Sequence, residues 1–240
     1  MEGTDTIIEH PSPNHDARPD GTEIDILLLH YTGMQSAEAA LDRLTDPDAK
    51  VSAHYLIDED GRCYRMVDEN RRAWHAGVAS WQGATDINAR SIGIELVNPG
   101  HQFGYLPFPD RQMERLVHLS KAILGRHPIP PARVLAHSDV APDRKEDPGE
   151  LFDWESLARK GIGIWPSHTP AAAKMMDFLE AMRLLSEIGY AAPEDNVMSR
   201  SARSVLLAFQ RRWLPHGLTG ALTPETAARI QDVHSKIMHT

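Results

Sequence analysis

Ile24-Asp25-Ile26-Leu27-Leu28-Leu29-His30 is the stretch that decides the fold. A near-continuous apolar run this short reads as a strand buried on both faces, as strands inside α/β sheets are. It ends in a histidine. Val134-Leu135-Ala136-His137 ends the same way and runs into a proline-bounded loop, Ser138 to Gly149, crowded with charged side chains. Loops held by proline keep side chains still, and function concentrates on them.

Further strands lie between these two. Val51–Ile57 and Arg62–Val67 flank the acidic turn Asp58-Glu59-Asp60-Gly61 and read as a hairpin. Ser91-Ile92-Gly93-Ile94-Glu95-Leu96-Val97 is a strand with one charge at its centre. Ser36 is expected to cap a helix through about Leu44, and Asp110 a helix with Met113, Leu116, Val117, Ser120 and Leu124 on its apolar face. Strands alternating with helices predict an α/β sheet domain. Residues 1–22, rich in Pro, Asp and His, read as an extended lead-in.

Near residue 160 the texture changes. Gly161 to Pro170 reads as a linker, and the rest is helical in pattern, roughly 170–188, 199–213 and 223–236. Thr223-Pro224-Glu225 supplies a cap, a proline at the first helical position and an acid in the first turn. The expected division is a domain over 1–165 and a small three-helix bundle over 166–240. The bundle shows no cluster of His or carboxylates, which points to binding rather than reaction.

Composition narrows the chemistry. A net charge of −9 argues against nucleic acid as a partner. No apolar run approaches the ~20 residues of a transmembrane segment. The start lacks a basic stretch followed by an apolar core, so no signal peptide is read there. Taken as complete the chain is expected to be cytoplasmic, and taken with a leader removed, periplasmic. It is expected to be a monomer. Cys63 is the single cysteine among 13 histidines, so any metal site must use His and carboxylate.

Two strand ends, His30 and His137, with Asp147 in the loop after the second, suit a zinc site with three protein ligands. Such a site leaves a fourth position open, as catalytic zinc requires. Each histidine alone is as readily a surface or satisfied core residue. Glu95, flanked by Ile92, Ile94, Leu96 and Val97, is either a buried carboxyl with a raised pKa, suited to a general base, or an outward-facing surface group. Alternation leaves both readings open. Lys145, two residues before Asp147, shares its side if that segment is extended and then stands near a developing oxyanion. Trp74 and Trp81, with Gly77 between them and Gly83 just after, suit a loop lining a sugar or peptide groove. His75 is expected in that groove, and His54 to be structural.

Taken together, these segments resemble the zinc-dependent N-acetylmuramoyl-L-alanine amidases of the AmpD/AmiD group, relatives of phage amidases and peptidoglycan recognition proteins. The likeness rests on Leu29-His30-Tyr31, Val51 to Ile57, Ala73-Trp74-His75-Ala76-Gly77, Ser91 to Glu95 and, most specifically, His137 to Gly149. Ala208-Phe209-Gln210 and Gly220 to Thr226 are similar to the group's helical peptidoglycan-binding module. The resemblance implies a central mixed β-sheet flanked by helices. It implies one Zn2+ on His30, His137 and Asp147, with Glu95 as acid/base and Lys145 as oxyanion stabiliser. The reaction implied is hydrolysis of the amide between N-acetylmuramic acid, or its anhydro form, and L-alanine in peptidoglycan fragments (muropeptides). Substrate contacts are expected from Tyr31, Lys50, Trp74, His75 and Trp81. Ala53 stands where phage relatives carry Tyr, and Lys50 and Asp86 where AmpD-type enzymes carry Arg, which implies a broader, AmiD-like specificity. The competing reading is a non-catalytic peptidoglycan-binding protein on the same fold.

Overall fold

The computed structural model describes residues 6–166 and 176–239. Its strands are β1 (Ile7–Glu9), β2 (His15–Ala17), β3 (Ile26–Tyr31), β4 (Tyr55–Ile57), β5 (Cys63–Arg65), β6 (Arg71–Ala73), β7 (Ser91–Leu96) and β8 (Val134–Ala136). The helices are α1 (Ala37–Thr45), α2 (Ile87–Arg90), α3 (Gly100–Phe103), α4 (Asp110–Arg126), α5 (His137–Val140), α6 (Trp154–Arg159), α7 (Phe178–Ile188), α8 (Arg200–Trp213) and α9 (Pro224–Met238).

Six strands form one sheet in the order β1-β5-β4-β7-β3-β8. Only β4 and β5 pair antiparallel, so the sheet is mixed, as expected. The lead-in is not merely extended. β1 adds to the sheet edge beside β5, and β2 pairs with β6 in a separate ribbon. Three-residue strands carry too little periodicity to be read from sequence. Asp110 is the first residue of α4 rather than its cap, a position held by Pro109.

Strand β3, between β7 and the edge strand β8, is buried on both faces because each is covered by helices. Leu27 and Leu29 pack with Ile92, Ile94, Leu116, Leu119 and Ile123, which puts α4 on one face. Ile26 and Leu28 join Leu185, Phe209, Trp213 and Ile230, which puts the C-terminal helices on the other. α7, α8 and α9 begin at Asp177, Ser199 and Thr223, whose side chains cap their first turns. The start of the first expected C-terminal helix, and the residues just past the proposed domain boundary, lie outside the described residues.

At the other end of the sheet from the histidines, one carboxylate ties three strands together. Asp25, just before β3, accepts from Arg90 Nε at 2.8 Å and also pairs with Arg133. Arg90 and Arg133 immediately precede β7 and β8. The parallel strands β7, β3 and β8 therefore leave from a common ionic anchor.

Candidate metal centre and cleft

Register builds the site. His30 pairs with Glu95 across β3 and β7, and Leu29 pairs with Ala136 across β3 and β8. The residue after Ala136 is His137, so Glu95 and His30 lie side by side on neighbouring strands and His137 follows directly past the end of the third. His30 continues the Ile26–Leu28 face by two-residue alternation. β8 stops at Ala136, and His137 opens the short helix α5 instead of ending the strand.

His30 Nδ1 lies 2.9 Å from His137 Nδ1, and Asp147 Oδ2 lies 3.1 Å from the first and 3.0 Å from the second. All three residues are buried. Two donors bound to one zinc at tetrahedral geometry stand roughly 3.3 Å apart, so this triangle has the right size and the right N, N, O chemistry.

The hydrogen bonds behind the rings give the same answer. His137 Nε2 faces the carbonyl of Ala76 at 3.0 Å and so carries the proton, leaving Nδ1 as a lone pair toward the centre. For His30 the chain of partners is longer. Ser91 donates its hydroxyl to Ile87 O at 2.6 Å, so its oxygen accepts from His75 Nε2 at 3.2 Å. His75 Nδ1 is then an acceptor and takes the proton of His30 Nε2 at 3.0 Å. That again leaves His30 Nδ1 as a lone pair facing the other two donors.

The electrostatics agree. Burial, reinforced by the charge of His137, pushes the His30 pKa down to about 4, which favours the neutral, ligating form. Burial raises the Asp147 carboxyl, but the charge and hydrogen bond of His137 and those of His30 outweigh it and hold it far below the usual range. Burial, then the charge of Asp147, drives Glu95 well above the ordinary carboxylate value, while Lys145 opposes the rise. Glu95 Oε2 is buried with no hydrogen-bond partner among the described residues, a costly state for a carboxylate that nothing else uses.

These groups open into a cleft of about 540 Å³ lined by Tyr31, Trp74, His75, Glu95, His137, Lys145 and Asp147. The Tyr31 hydroxyl lies 2.8 Å from His101 Nδ1, within hydrogen-bond distance, on one wall. Lys50 is exposed at a left-handed turn, beside the cleft residue Val51 rather than in the lining. His75 touches the cleft, but its ring stands behind His30 and fills the space over Gly93, where an added Cβ would lie 2.5 Å from His75 Nδ1. His75 thus lines the cleft, as expected of a groove residue, and in addition its Nδ1 meets His30 Nε2 from behind. Trp81 is also elsewhere. It is 4 % exposed and packs edge-on against Tyr190 at 5.1 Å in the core. His54 is buried, accepting from Gly93 N at 3.0 Å.

Other contributors give no local signal in the sequence. Asn88 Oδ1 accepts from the backbone N–H groups of His75 and Ala76, fixing the loop that carries both. Arg144 donates to Ala76 O and Val78 O, each at 2.6 Å, holding the same loop from the other side. Asp139 is fully buried, and its carboxylate accepts from Ala136 N at 2.9 Å.

A profile of the family described as N-acetylmuramoyl-L-alanine amidase matches residues 20–150. The chain is 38% identical over 230 residues to N-acetylmuramoyl-L-alanine amidase AmiD of Escherichia coli K12, covering 85% of this chain and 80% of that one. It is 37% identical over 161 residues to 1,6-anhydro-N-acetylmuramyl-L-alanine amidase AmpD of Enterobacter cloacae, covering 60% of this chain and 84% of that one. Among solved structures it is similar to Escherichia coli AmiD in complex with the substrate anhydro-N-acetylmuramic acid-L-Ala-D-gamma-Glu-L-Lys. That match has a TM-score of 0.80 and 36% identity, and covers 91% of this chain and 92% of that one.

Proposed function

The chain belongs to the N-acetylmuramoyl-L-alanine amidase family, and from that premise we propose that it cuts its substrate with Glu95 as proton carrier beside a zinc ion held by His30, His137 and Asp147. It is an amidase that hydrolyses the bond between N-acetylmuramic acid, in intact or anhydro form, and L-alanine in peptidoglycan fragments. The observation that carries the proposal is the row of Glu95 on β7, His30 on β3 and His137 immediately past the end of β8, with Asp147 closing a triangle of donor atoms no more than 3.1 Å on a side.

A zinc ion held there would polarise the scissile carbonyl and make water acidic enough to attack near neutral pH. Glu95 takes the proton from the attacking water through its unpartnered oxygen, and the raised affinity of that carboxyl for a proton suits it to pass the proton on to the leaving amine. Lys145, whose charge already acts on Glu95 and His30, faces the negative charge that develops on the carbonyl oxygen. Asp147 stays ionised and burial favours the neutral form of His30, the protonation states that metal ligands require. Tyr31 and Trp74 flank the cleft and receive the sugar and stem peptide, with Lys50 at the rim. Lys50 offers a point charge and not a bidentate fork, which fits a tolerant rather than a strict selection of muropeptides. The enzyme acts as a monomer.

Incubating the zinc-loaded protein with a defined muropeptide and weighing the products tests the reading. An amidase releases a peptide that begins at L-alanine and leaves the sugar intact. Fragments cut inside the stem peptide would instead mark a peptidase, and no turnover with zinc present would mark a binding protein.

A further inference from the structure

We infer that the C-terminal helices are part of the metal site's support, holding the His137 loop in shape through the Asp139 carboxylate. This rests on reading His30, His137 and Asp147 as the metal ligands. α5 is four residues long, and so short a helix has no stability of its own. Its start is fixed instead by Asp139, whose Oδ2 accepts from Ala136 N, immediately before the ligand His137. The same carboxylate is held from the far side by the C-terminal helices. Arg212 of α8 donates to Oδ2 at 2.5 Å, and the Tyr190 hydroxyl, just past α7, donates to Oδ1 at 2.6 Å.

None of these groups touches solvent appreciably: Asp139 is 0 % exposed, Tyr190 2 % and Arg212 3 %. A buried carboxylate that lost its cation would be strongly destabilised, so the loop is tied to the arginine. Arg212 is fixed in turn. Its guanidinium lies 4.3 Å from the Trp154 ring and 4.4 Å from that of Trp213, and it donates to Val134 O at 2.8 Å. The neighbouring Arg211 reaches the other end of the loop, donating to Glu146 at 2.5 Å, next to the ligand Asp147. The backbone joins the two ends, since Ser138 N donates to Asp147 O at 3.0 Å. Consecutive residues of α8 thus brace the loop beside both of the ligands it carries. Arg212 and Tyr190 are positioning residues; neither lines the cleft.

The test measures zinc affinity of the full-length protein by competition with a chromophoric chelator, alongside kcat and KM on a muropeptide. Arg212→Met keeps the packing between the two tryptophans and removes the donors; it should weaken zinc binding at least tenfold and lower kcat more than KM changes. Tyr190→Phe, which removes one oxygen, should weaken it severalfold. Val233→Ala, in the core of α9 and outside this network, should lower thermal stability and leave zinc affinity within twofold. Unchanged zinc affinity in Tyr190→Phe or Arg212→Met would overturn the inference, as would an equal loss in Val233→Ala. Should Arg212→Met fail to fold, Tyr190→Phe decides alone. A wild-type chain that binds no zinc overturns the metal reading and this inference with it. Zinc binding by the wild type with unaltered affinity in Tyr190→Phe overturns this inference only.

Discussion

His30 and Glu95 are register partners on adjacent parallel strands, β3 and β7. Paired residues on neighbouring strands project from the same face of a sheet, with the strands about 4.8 Å apart. The proposed metal donor and the proposed proton carrier are thereby set side by side by backbone hydrogen bonds alone. Glu95→Gln preserves shape and removes the titratable oxygen. We expect kcat to fall by at least ~100-fold with zinc content unchanged, checked by turnover and metal analysis on the same preparation. Full activity in that variant would remove Glu95 from the mechanism.

His75 lines the cleft and also stands behind His30, so its loss should act on the metal site first. His75→Ala should weaken zinc binding about 10–100-fold, the usual cost of losing the partner behind a ligand. A raised KM with normal zinc affinity would leave His75 as a groove residue only. Gly93→Ala should act the same way from the opposite side, because its Cβ would meet the His75 ring. Forced overpacking of this kind costs on the order of 1–3 kcal/mol, measurable by denaturant unfolding.

The two tryptophans of the 74–81 segment should separate cleanly. Trp74→Ala, at the cleft wall, is expected to raise KM for muropeptides. Trp81→Phe, in the core against Tyr190, is expected to leave KM unchanged and to lower the melting temperature. Steady-state kinetics and thermal scans on both variants decide it.

Zinc removal should be visible as lost stability. A ligand that binds only the folded chain stabilises it by about 4 kcal/mol at a thousandfold excess over its Kd. A chelator should therefore lower the melting temperature, and added zinc should restore it. Asp147→Ala should melt at one temperature with or without zinc.

Glu69 sets an acid limit away from the active site. Burial alone would raise its pKa, but hydrogen bonds from Arg126, His127 and Tyr55 outweigh burial and bring it from 4.5 down to about 2. A depressed folded value means that the stabilisation is present above pH 4.5 and is lost as pH falls toward 2. The pair is partly solvated, so the contribution at neutral pH is about 1 kcal/mol. Glu69→Gln should lower stability at pH 7 and flatten its decline across that acid window, read by urea unfolding at several pH values.

Much of the site was legible because short apolar strands that end in histidine leave little choice of face or end. His30, Glu95, His137 and Asp147, spread over more than a hundred residues, meet for that reason. What escaped was decided by contacts between distant segments. His75 and Trp81 sit in one loop of similar character, and only Gly93 beneath one and Tyr190 against the other send the first behind a ligand and the second into the core. Asp139 looked like one more acid in a charged loop, since its partners Tyr190 and Arg212 come from the far end of the chain. Alternation along β7 alone left Glu95 undecided, and its pairing with His30 resolves it.

The Asp25 anchor makes β3 and β7 into two rulers cut to one length. Asp25 lies five residues before His30 and Arg90 five before Glu95, while Arg133 lies four before His137. Each residue added to a strand advances its end by about 3.3 Å and turns the next side chain to the opposite face. An insertion or deletion between anchor and site would therefore disarm the enzyme even in a chain that still folds. The same change in the surface turn at Asp58–Gly61 would be absorbed. Insertions that leave the enzyme active are therefore expected only outside those three spans.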